Sequence, residues 1–247
     1  MKLTDDDIQK ILLQDQVILY HGSRGGIDDN IRPISRDRCD FGRGFYMGTS
    51  ELQAKSLIIH DSEPMFYTLR LNLSKISRDK ILFLSGSEWI YTVVACRKKS
   101  NQFNNLKIAS EILNNIQSYD LIVGPIADDQ MSEAMRQFNA GFISDTALED
   151  CLNYVDYGYQ FVAKSQYACD CIDVISESEI YENEADQIEK YLDERRIKGQ
   201  SFVSDIAARH RTDGMYINDI INNELHKEED STDVVENVPL HKIHRSR

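Results

Sequence analysis

The chain has 247 residues, with 28 Lys plus Arg against 41 Asp plus Glu for a formal net charge of −13, and it is 41% hydrophobic and 28% charged. That apolar content supports a sizeable buried core, while the acidic balance argues against a protein that grips a phosphate backbone along a basic face. No apolar run approaches the roughly 20 residues of a membrane span, and the acidic start MKLTDDDIQK lacks the basic-then-apolar layout of a secretory signal. A cytoplasmic chain with no membrane partner is expected.

In chain order, Thr4–Leu13 reads as a short amphipathic helix, with Thr4 as cap and Ile8, Ile11 and Leu12 at helical spacing. Gln16–Tyr20 is a β-rich run that empties into the glycine-rich His21–Gly26. Asp40–Gly48 reads as a second, glycine-punctuated strand, followed by a helix over Glu51–Ile59 capped by Thr49 or Ser50. Met65–Leu73 alternates as a strand does, and Glu88–Arg97 reads as a helix carrying Trp89, the only tryptophan. Tyr119–Val123 is a short strand broken by Gly124-Pro125; Ser132–Asn139 and Ser144–Leu152 are helices; Tyr159–Ala163 is a strand and Ser165–Ile172 a helix. Beyond Ser178 the character changes to a charged helix over Glu179–Lys198, broken by Gly199, then Ser201–Arg209, a second break at Gly214 and a helix over Met215–Leu225. The division expected is a mixed domain over 1–178, a helical extension over 179–226 and a disordered tail over 227–247.

The five cysteines (Cys39, Cys96, Cys151, Cys169, Cys171) contain no C-x-x-C pair, so neither a disulfide framework nor a zinc site is expected. Cys169 and Cys171 read as small core residues of one helix. The six histidines form no H-E-x-x-H unit, and the one H-x-x-H spacing, His241–His244, falls in the charged tail, so no metal is expected. The segment from Phe202 to Ile220 has a faint helix-turn-helix character with Arg195, Arg196, Arg209 and Arg211 nearby, but Glu179, Glu182, Glu184, Glu189 and Glu194 surround it. DNA reading is therefore disfavoured, and the helices are expected to pack on the core or dock a protein partner.

Three loops could carry chemistry. Tyr20-His21-Gly22-Ser23 ends a strand, where an imidazole can meet a ligand hydroxyl and a glycine lets a ligand approach the backbone; the plain alternative is a turn. Phe41-Gly-Arg-Gly-Phe-Tyr46 sets two glycines before adjacent aromatics, giving a stacking platform or simply one ring on each side of a strand. Leu121–Asp129 ends in carboxylates that could orient a substrate or cap the next helix.

Together, Leu19-Tyr-His-Gly-Ser, Asp40-Phe-Gly-Arg-Gly-Phe-Tyr, Tyr119-Asp-Leu-Ile-Val-Gly-Pro-Ile-Ala-Asp-Asp and Tyr159-Gln-Phe-Val resemble, in order, the diphtheria-toxin and PARP branch of the ADP-ribosyltransferases. They are most similar to a bacterial, toxin-like subfamily over roughly residues 15–176. The resemblance implies an α+β, ADP-ribosyltransferase-like split β-sandwich: two small bent sheets with an NAD cleft between them, flanking helices, and the helical extension outside the shared core. It implies that His21 hydrogen-bonds the ribose beside nicotinamide, that the Gly22 backbone holds the carboxamide, and that Tyr46 stacks on the leaving ring with Phe45 in support. His21, Gly22, Ser23, Phe45, Tyr46 and Asp129 are thereby expected to line the NAD site, with His21, Tyr46 and Gln160 as the catalytic set.

The third position of the family is commonly a glutamate, and this chain has Gln160. A glutamate can bind a ribose hydroxyl and stabilise an oxocarbenium-like charge, whereas a glutamine supplies hydrogen bonds without charge. The activity implied is NAD-dependent mono-ADP-ribosyl transfer to a protein or nucleic-acid target, as a toxin or anti-phage effector with an antitoxin-like partner at the C-terminal helices. The alternative is an inactive transferase fold that binds a dinucleotide or a protein.

Overall fold

The computed structural model describes residues 3–28, 30–97, 101–127, 132–154 and 158–223. The expected Asp129 and the 227–247 tail lie outside the described residues. The fold is mixed α+β. Its strands are β1 (Val17–Ser23), β2 (Phe45–Gly48), β3 (Met65–Leu71), β4 (Ile81–Phe83), β5 (Leu121–Pro125), β6 (Tyr159–Ala163) and β7 (Ile172–Glu179). Its helices are α1 (Asp5–Leu12), α2 (Glu51–Ser56), α3 (Gly86–Arg97), α4 (Asn101–Asn104), α5 (Lys107–Asn115), α6 (Ser132–Asn139), α7 (Asp145–Tyr154), α8 (Gln166–Cys169) and α9 (Glu182–Arg209), with a last helix at 217–223. No helix among the described residues is long and apolar enough to cross a membrane.

The seven strands form one hydrogen-bonded order, β4-β5-β6-β2-β1-β3-β7, parallel at β4–β5 and antiparallel elsewhere. Two separate sheets were expected; instead the halves are joined, but only just. β2 pairs with β6 over Phe45–Gly48, and β1 with β3 over its whole length, while β1 and β2 share the single pair Tyr20↔Gly48. This seam is the narrowest join in the sheet.

Alternation along the strands feeds a core on each face. Val162 and Ile122 face a layer with Phe41, Trp89, Phe103, Phe138 and Leu148. Phe161, Val123 and Met47 face a second layer with Leu19, Leu69 and the α1 residues Ile8 and Leu12. A smaller cluster of Ala54, Ile58, Phe66 and Ile180 sits under α2. α1 starts as its sequence dictates: the Thr4 side chain accepts from Asp7 N while Asp7 reaches back to Thr4 N, a reciprocal capping box.

Several sequence expectations are corrected. The 40–48 segment is a strand only from Phe45, because Cys39–Gly42 closes a turn (Gly42 N–Cys39 O 2.9 Å) with Gly42 at φ 72°. Pro125 does not break β5; it closes the strand, paired with Tyr159. The helix expected over Ser165–Ile172 is only α8, so Cys171 lies beyond it and Ile172 opens β7; both cysteines are core residues, and burial pushes the Cys169 thiol up to about 12. Gly199 does not break α9, which runs 28 residues to Arg209; one helical glycine costs about 1 kcal/mol, less than the burial of Val203 and Ile206 on its far side returns.

Those two residues, with Ile217 and Ile220, belong to the same core layer as Trp89 and Phe138. The extension thus packs on the core rather than standing apart. A chain ending at Ser178 is expected to be insoluble or molten by circular dichroism. In the full chain, Ile206→Ala should lose about 2–5 kcal/mol in urea denaturation; a soluble, cooperatively melting 1–178 fragment would show the extension to be dispensable.

Candidate functional site

β1 carries His21 past the seam. Tyr20 is in register with Gly48, and Gly48 with Gln160, so Gln160 shares a face with Tyr20 while His21 turns to the other. Its ring stacks on Phe45 (centroids 4.5 Å apart, 30°) and lies 6.4 Å from Tyr67, both members of the second core layer. Nδ1 lies 2.7 Å from the Tyr46 carbonyl. A carbonyl only accepts, so Nδ1 carries the proton and Nε2 is left as a lone-pair acceptor with no partner among the described residues. Burial holds the ring below its usual pKa despite the help of that carbonyl, so it is neutral. Where β1 leaves β2, the imidazole thus serves the Tyr46 carbonyl.

Gly22 and Ser23 have local tasks. A Cβ on Gly22 would sit 2.4 Å from the Ala54 carbonyl, so its missing side chain admits α2 against β1. Ser23 Oγ donates to Gly26 O at 2.5 Å. The loop that follows returns to Tyr67, whose hydroxyl accepts from Ile27 N at 3.0 Å. Beside it opens a cleft of about 510 Å³ lined by Ile27, Asp28, Asn30 and Arg32.

Tyr46 points to the first core layer. Its hydroxyl donates to Gly42 O (2.6 Å) and accepts from Phe41 N (3.0 Å), clamping the 39–42 turn. Burial first, and the nearby Asp40 carboxylate second, push that phenol well above its usual range. Gly44 makes the approach possible, since a Cβ there would fall 2.5 Å from Val162 Cγ1. Lys164 Nζ donates to Phe41 O, and burial lowers its pKa.

Gln160 is only 5% exposed. Its Nε2 donates to Asp40 Oδ2 (2.8 Å) and Pro125 O (3.0 Å). Asp40 in turn pairs with Arg97 from the end of α3, Nε to Oδ1 at 2.7 Å, and accepts from Ala127 N at 3.2 Å; Arg97 Nη2 donates to Ala127 O at 2.9 Å. Gly48 and Gly124 flank Gln160 on the neighbouring strands. A Cβ on Gly124 would come 2.9 Å from Phe41 Cζ, so that glycine seats the segment carrying Asp40.

The structure therefore places His21 with Phe45 on one face of the sheet, and Tyr46 and Gln160 on the other, all within three residues of the Tyr20–Gly48–Gln160 row. Sequence reasoning passed over Asp40 and Arg97. Asp40 opens the Asp40-Phe-Gly-Arg-Gly-Phe-Tyr46 segment with no local sign of its role, and Arg97 closes a helix whose preceding Val93, Val94, Ala95 and Cys96 are all buried; a charge ending so apolar a run was the available signal. Among the described residues no group of three or more His, Cys, Asp or Glu could hold a metal.

A family model described as a protein of unknown function (DUF3990) matches residues 17–174, from the start of β1 into β7. The chain belongs to that family. No curated protein and no solved structure matches it.

The neutral His21 gives the fold a sign for its response to acid. The folded-state pKa lies below the unfolded value of 6.5, so the unfolded chain takes the proton first and stability falls as pH drops from about 6.5 toward the folded-state value. His21→Asn keeps a side-chain amide able to donate to the Tyr46 carbonyl and removes the titration. Its melting temperature should fall less than that of the wild type between pH 7.5 and pH 5.5; equal falls would show that His21 does not titrate in this way.

Proposed function

We propose that this member of the DUF3990 family is an NAD-dependent mono-ADP-ribosyltransferase acting on a protein or nucleic-acid acceptor, as a toxin or anti-phage effector. The observation that carries the reading is the neutral imidazole of His21, with Nδ1 committed to the Tyr46 carbonyl at 2.7 Å and Nε2 free to accept. A fixed acceptor beside aromatic rings at an open seam suits a sugar hydroxyl next to a flat heterocycle. The four sequence blocks of the superfamily support it in their order, and on this reading the single-pair seam divides the sheet into the halves of a split sandwich.

The chemistry asks little acid help of the protein. The glycosidic C–N bond breaks and nicotinamide leaves with the bonding electrons, losing its positive charge. The acceptor's nucleophile then bonds to the ribose C1′ and releases its proton. The chain must hold the ribose while positive charge develops on it, and His21 supplies the hydrogen bond that does so.

One observation favours a second reading. Gln160 brings no charge to the third position, and its amide is committed to Asp40 and Pro125, as suits an inactive fold that binds a dinucleotide or a protein. The two separate in one experiment: NAD binding by calorimetry beside nicotinamide release and label transfer to protein and nucleic acid. Release that falls at least tenfold in a folded His21→Asn variant supports the transferase. NAD binding with no release under any acceptor selects the second reading, and an equal rate in wild type and His21→Asn removes His21 from the chemistry.

A further inference from the structure

Gln160 is a buried side chain with a forced orientation. Both groups facing its Nε2, the Asp40 carboxylate and the Pro125 carbonyl, are pure acceptors, so the amide cannot be turned over. Its Oε1 accepts nothing from the described residues, yet it is not among the buried polar atoms left without a partner. The one atom this residue keeps open is a carbonyl oxygen.

We propose that Asp40, held by Arg97, is the positioning residue for Gln160, and that this pair is why the position is glutamine: it is a fixed, neutral hydrogen-bond acceptor for a ligand hydroxyl or N–H, and a carboxylate cannot replace it. The proposal rests on the transferase reading for the ligand it would meet, but not for the pairing itself.

The electrostatics follow from the partners. Asp40 Oδ1 is taken by Arg97, and Oδ2 by the neutral Gln160 amide and Ala127 N. A carboxylate at 160 would set a second anion about where Nε2 now stands, 2.8 Å from Oδ2. Like charges that close cannot both ionise in a buried site, so the new group would hold a proton or the cluster would open. Protonated, its O–H would again donate to Asp40, as Nε2 does. The carboxylate common at this position in the resembling superfamily is therefore excluded here by Asp40, and the negative charge sits one residue deeper, polarising the Gln160 amide so that Oε1 is a stronger acceptor.

The test is a cycle on the full chain: Gln160→Glu, Asp40→Asn and the double variant, melted at pH 8 and pH 5, with nicotinamide release followed on the same samples. Gln160→Glu should melt about 5–15 °C below the wild type at pH 8 and regain most of that at pH 5. The sign follows because a carboxyl whose folded-state pKa is raised costs stability only as pH climbs past its unfolded value. The double variant should recover at pH 8, since a single carboxylate again faces Arg97. If the wild type releases nicotinamide, Gln160→Glu should lose at least tenfold in kcat at pH 8 and recover toward acid, a pH profile that a merely structural role would not produce. A Gln160→Glu chain that melts with the wild type at pH 8, or a double variant whose loss is the sum of the two single losses, overturns the proposal whether or not the chain turns over NAD. The full cycle without nicotinamide release supports the positioning pair and removes only the transferase reading.

Discussion

The buried pair of Asp40 and Arg97 is the constraint on which this architecture turns. Taking a carboxylate and a guanidinium out of water costs several kcal/mol for each ion, recovered only where the geometry is good and the remaining lone pairs are satisfied. Both oxygens of Asp40 have donors: Arg97 on one, Gln160 and the Ala127 backbone on the other. Meeting those demands fixes three pieces of chain together, the 39–42 turn, the end of α3 and the paired ends of β5 and β6. The Tyr46 hydroxyl clamps the same turn from β2, and Lys164 holds the Phe41 carbonyl from beyond β6. The turn is thus rigid although, apart from its β-turn, it carries no regular secondary structure.

The seam has the opposite character, and its cause lies in what surrounds it. After Gly48 the chain bonds back to β6, with Thr49 N donating to Tyr159 O and Tyr159 N to Thr49 Oγ1, both at 2.9 Å. It then enters α2 under the Ser50 cap, whose side chain accepts from Gln53 N. α2 lies against Gly22, its Ala54 carbonyl in the space a side chain would need. β2 is therefore drawn toward β6 while β1 stays with β3 along its full length. The gap is spanned by an imidazole rather than by a ladder, and a ring that replaces a backbone partner has its other nitrogen to spare.

The sequence was most legible where one periodicity ruled. β3, β6 and α6 were readable from alternation or helical spacing, and the α1 cap from Thr4 ahead of Ile8, Ile11 and Leu12. β7 was not, because an edge strand with one neighbour buries little; the sequence reading assigned nothing to 173–178, and Glu179, expected to open the charged helix, instead ends β7. β4 has three residues and pairs in parallel with β5, a contact about 40 residues away in sequence, which local pattern cannot show. The site divides in the same way. His21 and Tyr46 were visible as strand-end residues beside glycines, but the tautomer of one and the clamped hydroxyl of the other depend on contacts 25 and 4 residues distant. Asp40 and Gln160 are 120 residues apart, so the reason for glutamine at 160 is written in a segment that gives no local hint of it.

The family match stops at residue 174, inside β7, yet the first core layer is completed by Val203, Ile206, Ile217 and Ile220 from beyond it. The two halves of the candidate site differ in what they owe to that extension. His21, Phe45 and Tyr67 lean on the second layer, which α1, α8 and the strands build without it. Arg97 stands on α3, whose Tyr91 hydroxyl donates to Asp145 Oδ2 at 2.7 Å, while Asp145 Oδ1 accepts from Met215 N, also at 2.7 Å. A continuous bonded and packed route therefore runs from the C-terminal helices through α7 and α3 to the ion pair that fixes Gln160. The same helices also bear on the His21 half by packing, since α9 meets α2 through Glu184 and Lys55 at 2.7 Å and beside Ala185, and α2 lies against Gly22.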